Sequence, residues 1–208
     1  MEQEFQSQLL ERAVTELSRL PGIGRRTALR LSLHLLRQEP GVANDLGESI
    51  IAMRKGISYC KICHNISEHP VCTICNDPLR DASIICVVES VKDVLSMENT
   101  RRYNGRYHVL GGIISPMDGI GPQHLEIDSL VDRAAAGDIR EVILALGATM
   151  EGDTTCYYIY KRIMAAAPDV AVTQLARGVS VGNDIEYTDE VTLGSSLVNR
   201  TPFGSVQR

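Results

Sequence analysis

Tryptophan is absent from the 208 residues, and aromatic residues make up only 4% of them. Any core must therefore be mostly aliphatic, and stacking of unpaired bases on an aromatic platform is excluded as the main binding mode. No apolar run approaches the roughly 18–20 residues of a membrane span. An excess of positive charge is also missing: 21 Lys and Arg against 26 Asp and Glu give a net charge of −5. That rules out a uniformly basic nucleic-acid coat but leaves room for a local basic patch. The opening residues Met1-Glu2-Gln3-Glu4-Phe5 lack the basic-then-apolar plan of a secretory signal, so a cytoplasmic protein is expected. Internal repeats and low-complexity tracts are lacking too. The mixed composition, with 17 Gly and 8 Pro, excludes collagen-like and disordered chains.

What is present is an ordinary share of core-forming residues, 44% hydrophobic, in four stretches of different texture. The pattern predicts an α/β multidomain protein with boundaries at 1–57, 58–79, 80–174 and 175–208. The first stretch is helical. Phe5, Leu9, Leu10, Ala13, Val14, Leu17 and Leu20 recur at three- and four-residue steps over residues 5–20, and Pro21-Gly22 ends the run. A second helix is expected over 25–37, and a third over 42–57 with Leu46, Ile50, Ile51 and Met53 facing inward. Residues 58–80 hold four Cys, two His and two Pro with few large aliphatics, too little to fold alone.

From Asp81 onward, strands and helices alternate. Ser83-Ile84-Ile85-Cys86-Val87-Val88 and Glu141-Val142-Ile143-Leu144-Ala145-Leu146 are apolar runs suited to buried parallel strands. Shorter strands are expected at 107–110 and 170–172. Helices are expected at 91–99, with Ser90 as N-cap, at 123–136 and at 153–167. This alternation predicts an α/β sandwich on a parallel sheet. The Gly-rich, polar tail is expected to form short β-strands or an arm.

Cys60-Lys61-Ile62-Cys63 and Cys72-Thr73-Ile74-Cys75 are two C-x-x-C turns separated by eight residues. Each turn sets two thiolates on one side of an ion, and two turns complete a tetrahedral shell around Zn²⁺ at about 2.3 Å. A shell of four cysteines leaves no open position, so one structural zinc per chain is expected, supplying folding energy that the segment's composition cannot. Two disulfides would need an oxidising compartment, and a thioredoxin-like redox pair would use one C-x-x-C rather than two. His64 and His69 lie between the pairs as bystanders. Cys86 and Cys156 fall in a strand and a helix, as small core residues.

Leu20-Pro21-Gly22-Ile23-Gly24-Arg25-Arg26-Thr27-Ala28 has the form L-P-G-x-G-x-x-x-A. Gly22 and Gly24 permit a tight turn between helices, and the amides opening the next helix form a phosphate site. Arg25 and Arg26 follow at once, and Arg30 lies one turn beyond Arg26. Residues 19–37 carry five Arg and no acid. A solvated helix face is the bland alternative. The uncompensated arginines favour sequence-independent contact with a nucleic-acid backbone.

Acids follow two of the strands: Glu89 after the first, and Glu151 and Asp153 after the strand at 141–146. Strand C-termini of an open parallel sheet share one edge, where ligands bind. Three carboxylates converging there could hold Mg²⁺ through oxygen. Otherwise they are solvated loop acids, or Asp153 caps a helix.

Taken in order, the LPGIG hairpin, the C-x₂-C-x₈-C-x₂-C finger and the unit from Ile85-Cys86-Val87-Val88-Glu89-Ser90 to Met150-Glu151-Gly152-Asp153-Thr154-Thr155 resemble the RecR family of recombination mediators. Ser115-Pro116-Met117-Asp118-Gly119-Ile120-Gly121-Pro122, Leu175-Ala176-Arg177-Gly178-Val179-Ser180-Val181-Gly182 and residues 186–194 resemble that family as well. The resemblance implies that the α/β unit is a Toprim domain, with Glu89, Glu151 and Asp153 on its acidic positions. It implies DNA contact through Arg26 and Arg30, and a ring, commonly a homotetramer, able to encircle DNA. It also implies a cytoplasmic, nucleoid-associated protein without enzymatic activity. Such a protein works with RecO and RecF to load RecA onto gapped or single-stranded DNA in recombinational DNA repair, its Toprim acids serving mainly the RecO interface. The competing reading is a Mg²⁺-dependent Toprim nicking enzyme. Gly147-Ala148-Thr149 departs from the family's usual loop, and Val179-Ser180-Val181-Gly182-Asn183-Asp184 lacks a usual Pro and Gly.

Overall fold

A computed structural model describes residues 7–182 and 184–202. Phe5, expected in the first helix, Asn183 and the last six residues of the tail lie outside the described residues. The chain forms two compact units that meet in sequence at Ser58 and Tyr59. Among the described residues no helix is long and apolar enough to cross a membrane.

The first unit is helical. Helix α1 (Gln8–Ser18) starts at Ser7, whose hydroxyl accepts from the Leu10 amide at 3.4 Å. Helix α2 (Arg25–Leu36) packs against it, and together they bury Val14, Ala28 and Ser32. Small side chains let helices approach closely, which suits Ala28 at this interface. Helix α3 (Pro40–Gly56) begins on Pro40, where the missing N–H costs nothing. It differs from expectation in one respect. Leu46, Ile50, Ile51 and Met53 do not face inward; each is about half exposed, and α3 buries no residue at all. Its apolar spacing gives a helix, but a unit of this size has too little partner surface to cover a third apolar face.

The second unit opens with two short paired strands, β1 (Ser58–Tyr59) and β2 (Ile66–Ser67), followed by the single-turn helix α4 (Thr73–Asn76). Then comes a parallel sheet built from β3 (Asp81–Val88), β4 (Gly105–Val109), β5 (Glu141–Ala145) and β6 (Ala171–Gln174), in the order β4-β3-β5-β6. Period-two alternation along β3 divides its continuous apolar run between two faces. Ile85 and Val87 join one core with Leu130, Val142, Ile159 and Ile163, under α6 (Ile127–Ala135) and α7 (Met150–Ala166). Cys86 and Val88 join the other with Val94, Tyr107 and Val109, under α5 (Val91–Thr100). Ser90 and Asp93 form a capping box at the start of α5. Gly105 opens β4 where any Cβ would stand 2.9 Å from the Ile84 carbonyl oxygen and closer still to Tyr103.

Two boundaries depart from the sequence reading for local reasons. Helix α7 begins at Met150 rather than near Asp153, because the Thr149 hydroxyl accepts from the Gly152 amide at 3.1 Å. The tail forms a 3₁₀ turn (Ile185–Tyr187) and helix α8 (Glu190–Val198), with no strand among its described residues after β6. The Asp189 carboxylate caps α8 by accepting from the Thr192 amide at 2.9 Å, which overrides the β preference of Val191 and Thr192.

Candidate metal centre and nucleic-acid interface

The four cysteines of the finger converge. Their sulfurs lie within 4.8 Å of one another, and all four residues are buried. Each C-x-x-C is shaped by amide-to-sulfur and amide-to-carbonyl bonds. The Cys72 amide donates to Cys60 Sγ at 3.3 Å, the Cys75 amide to Cys72 Sγ at 3.4 Å, and the His64 amide to the Cys60 carbonyl at 3.0 Å. The Cys60 amide donates to the Asn65 carbonyl at 2.7 Å, and the Lys61 amide to the Pro70 carbonyl at 2.9 Å, closing the loop between the pairs.

This donor set fits Zn²⁺. All six cysteines are free, and Cys63 Sγ stands 3.5 Å from Cys72 Sγ, far beyond a disulfide bond. Tetrahedral zinc with bonds of about 2.3 Å needs sulfurs roughly 3.8 Å apart. Crowding alone disfavours four thiolates: a hydrogen bond with Cys75, with burial, pushes the Cys63 thiol up, and burial chiefly pushes Cys72 up to about 11. At Cys60 burial is outweighed by the amides of Cys72, Cys63 and Ile62, which hold it at about 7. A divalent cation supplies the positive charge that allows all four to ionise together. The zinc is structural, because the four thiolates fill its shell.

The finger is attached to the edge of the sheet. Among the described residues strand β4 has no strand on its outer side, and the Val109 amide donates to the Cys63 carbonyl at 2.8 Å. His64 has φ +60°, a conformation costly for any residue with a Cβ. Its ring lies edge-on to His108 with centroids 5.1 Å apart, and Nε2 is 3.0 Å from Ser129 Oγ. His108 is fully buried, and burial together with the Arg133 guanidinium pushes its pKa down to about 3. Arg133 donates to His108 Nδ1 at 2.9 Å, so the proton sits on Nε2 and is donated to the Glu126 carbonyl at 2.7 Å. His64 is thus no ligand but a link between finger and α6. Nothing in the local sequence announces this, because Ser129 is 65 residues away.

The glycine turn of the first unit takes the expected form. Gly22 has φ +80°, a left-handed conformation that glycine adopts without penalty, and the Ile23 amide donates to the Leu20 carbonyl at 3.0 Å. Gly24 is the N-cap of α2, with no side-chain cap and no acid in the first turn. The amides at this helix start have no intrahelical acceptor and carry the positive end of the dipole. Gly22, Gly24, Arg25, Arg26 and Arg30 are all exposed. Arg26 and Arg30, one turn apart on α2, line a shallow groove of about 380 Å³.

The acids of the sheet behave differently. Val88 pairs with Ala145, so Glu89 after β3 and the loop after β5 do reach one edge, where the strand order reverses. Glu151 and Asp153 stand in the first turn of α7. Gly152 between them is forced: a Cβ there would come within 2.0 Å of the Gly147 carbonyl oxygen. Among the described residues, though, these three carboxylates do not gather within ligand distance of one point as the thiolates do. Arg177, just past β6, binds both oxygens of Asp153, one of them at 3.2 Å, and its guanidinium holds that carboxyl below the usual range. Arg177 falls in one of the segments that resemble the family, but its pairing with Asp153, 24 residues away, was not foreseen from the sequence.

Comparison with known families matches residues 10–54 to "RecR, helix-hairpin-helix", 57–77 to the RecR zinc finger domain of the four-cysteine type, 83–176 to "Toprim domain" and 178–201 to "RecR, C-terminal". The chain is 58% identical over 203 residues to Recombination protein RecR of Bacteroides fragilis, covering 98% of each. It is 55% identical to that of Parabacteroides distasonis over 98% of this chain and 97% of the relative. Similarity to that of Flavobacterium psychrophilum is 54% over 96% of each.

Proposed function

The chain belongs to the RecR family of recombination proteins, and on that premise we propose that it is a non-catalytic, sequence-independent DNA-binding mediator of recombinational repair. The observation that carries the reading is the glycine turn followed by Arg25, Arg26 and Arg30 on a helix start with no acid in its first turn. Backbone amides and guanidinium groups there recognise phosphate and carry no base code. The head at 1–57 binds DNA, the finger at 58–79 stiffens the edge of the sheet, the Toprim domain at 80–174 with Glu89, Glu151 and Asp153 offers a surface to RecO, and residues 175–208 form a C-terminal arm. Assembly into a homotetrameric ring suits a net charge of −5, because only the inner rim need be positive. With RecO, and RecF at gap junctions, the ring loads RecA onto gapped or single-stranded DNA in the cytoplasm, at the nucleoid.

A Mg²⁺-dependent nicking enzyme is the weaker reading. Its three carboxylates are not gathered, and Asp153 is already matched by Arg177. The test of the proposal is DNA binding by the Arg26→Ala/Arg30→Ala pair, followed by fluorescence anisotropy over 50–200 mM salt. Weaker binding is expected, with a log–log salt slope shallower by about 0.7–0.9 per lost phosphate contact. Unchanged affinity and slope would remove the head as the contact surface. Nicking of supercoiled plasmid with Mg²⁺, abolished by Glu89→Gln, would restore the enzyme reading.

A further inference from the structure

We propose that the DNA contact continues along the whole of α2, with His34 and Arg37 extending the line of Arg26 and Arg30, and that its ligand is a single strand lying along the helix. This rests on the reading of the head as a DNA-binding unit and adds its extent and the form of its ligand.

Arg26, Leu29, Arg30, Leu33, His34 and Arg37 together line the groove of about 380 Å³. Their spacing of three, four, seven, eight and eleven residues from Arg26 is that of a single stripe on a helix. At 1.5 Å per residue, Arg26, Arg30 and His34 stand about 6 Å apart, and Arg37 lies about 4.5 Å beyond, so the stripe is roughly 16 Å long. Donors repeated at that step suit successive phosphates of one strand rather than an isolated anion.

The charges of this stripe are unmatched. Arg19, Arg80, Arg140, Arg162 and Arg177 each pair with a carboxylate, but among the described residues no carboxylate lies within ion-pair distance of Arg26, Arg30 or Arg37. The negative end of α2 favours the Arg37 guanidinium at its C-cap, so this charge is tolerated before any ligand arrives, and the His34 ring adds a hydrogen-bond donor one turn from Arg30. Between the cations lie Leu29, half-buried, and Leu33, exposed. Duplex DNA keeps its base faces stacked inside, away from such a surface. A single strand can lay its sugars and base faces on the two leucines while its phosphates meet the cations, and it needs no aromatic platform.

The experiment uses the zinc-loaded full chain with a fluorescein-labelled oligothymidylate and a hairpin duplex, titrated by anisotropy across 50–200 mM salt. Arg37→Ala and His34→Ala are each expected to weaken oligothymidylate binding, Arg37→Ala with a salt slope shallower by about 0.7. Arg37→Lys should restore that slope. Leu33→Ser should weaken oligothymidylate binding several-fold, with the slope and the duplex affinity unchanged. All three substituted positions lie on the surface stripe, and circular dichroism checks that α2 survives. If Arg37→Ala and His34→Ala bind as the parent does while Arg26→Ala/Arg30→Ala loses affinity, the contact ends at the hairpin; this inference falls and the proposed function stands. If the double variant also binds normally, both fall. If Leu33→Ser weakens duplex and single strand alike, the single-strand assignment is overturned.

Discussion

Removing the metal should loosen one edge of the α/β unit without unfolding it. The perturbation is Cys72→Ser, checked against chelation of the parent protein. Within the finger, only Ile62, Val71 and Ile74 pack as half-buried aliphatics against the four cysteines. Three such side chains contribute about 3 kcal/mol between them, whereas zinc binding to finger peptides is worth about 10–16 kcal/mol. The metal term dominates, so residues 58–79 should lose their structure. The core of Ile85, Leu130, Val142 and Ile159 contains none of these cysteines and should survive. What the rest of the unit loses is the attachment: the bond from the Val109 amide to Cys63, the His64 contact with Ser129, and cover over the outer side of β4.

At about 1 kcal/mol for each hydrogen bond, plus a similar amount for the uncovered edge, the loss is roughly 2–4 kcal/mol. For a unit of this size that lowers the melting midpoint by roughly 4–16 °C. Amide hydrogen exchange locates the effect. Val109, whose amide donates to the finger, should lose protection, whereas Leu110, whose amide donates to the Val88 carbonyl at 2.9 Å, should keep it. Metal content should fall from one zinc per chain to none. A metal-free protein in which Val109 stays protected and the finger resists proteolysis would refute the reasoning, since packing alone would then hold the finger.

Two further perturbations probe the second unit. Gly152→Ala sets a Cβ 2.0 Å from a backbone oxygen that cannot move aside, so the urea midpoint should fall by the equivalent of about 1–3 kcal/mol, more than for Gly24→Ala, whose Cβ meets nothing within 4 Å; equal losses would contradict the steric account. Glu98→Gln leaves Arg80, whose side chain is only 15% exposed, with only the more distant Asp77 carboxylate at 3.9 Å and should cost about 2 kcal/mol near neutral pH. Because Arg80 holds the Glu98 carboxyl below its usual range, that stabilisation is present above the unfolded value near 4.3 and lost as pH falls through the folded one, so the acid limb of stability against pH should be flatter in the variant.

Features carried by short spacing were legible in the sequence, and those carried by distant contact were not. The two C-x-x-C turns gave the metal centre because ligand geometry constrains residues three apart. The run at 83–88 announced a buried strand, although only the alternation of Ile85 and Val87 against Cys86 and Val88 assigns its two faces. Helix α3 was foreseeable and its inward face was not: an apolar spacing states that a face prefers cover, never that this chain provides it. The tail's Gly-rich, polar composition suggested short strands or an arm, whereas the Asp189 cap sets a helix over 190–198. Thr149 was overlooked as a cap, so the helix was expected to start at Asp153, with Glu151 in the loop before it. Arg177 and His64 act across 24 and 65 residues and leave no local trace.

Arginine has two opposite parts in this chain, and the contrast ties the proposed function to the fold. In the second unit Arg80, Arg140, Arg162 and Arg177 each neutralise a carboxylate, fixing one segment to another. At the sheet edge the effect is chemical as well: a divalent ion seeking Asp153 must first displace a guanidinium bound to both its oxygens, a strong competitor for the site. On α2 the same side chain stands without a carboxylate partner at Arg26, Arg30 and Arg37, in a chain whose net charge is −5. Acids are plentiful enough to have neutralised these groups, yet none stands within ion-pair reach among the described residues. On the proposed reading the stripe takes its counter-charge from a nucleic-acid backbone, and a binder of that kind loses affinity steeply as salt rises.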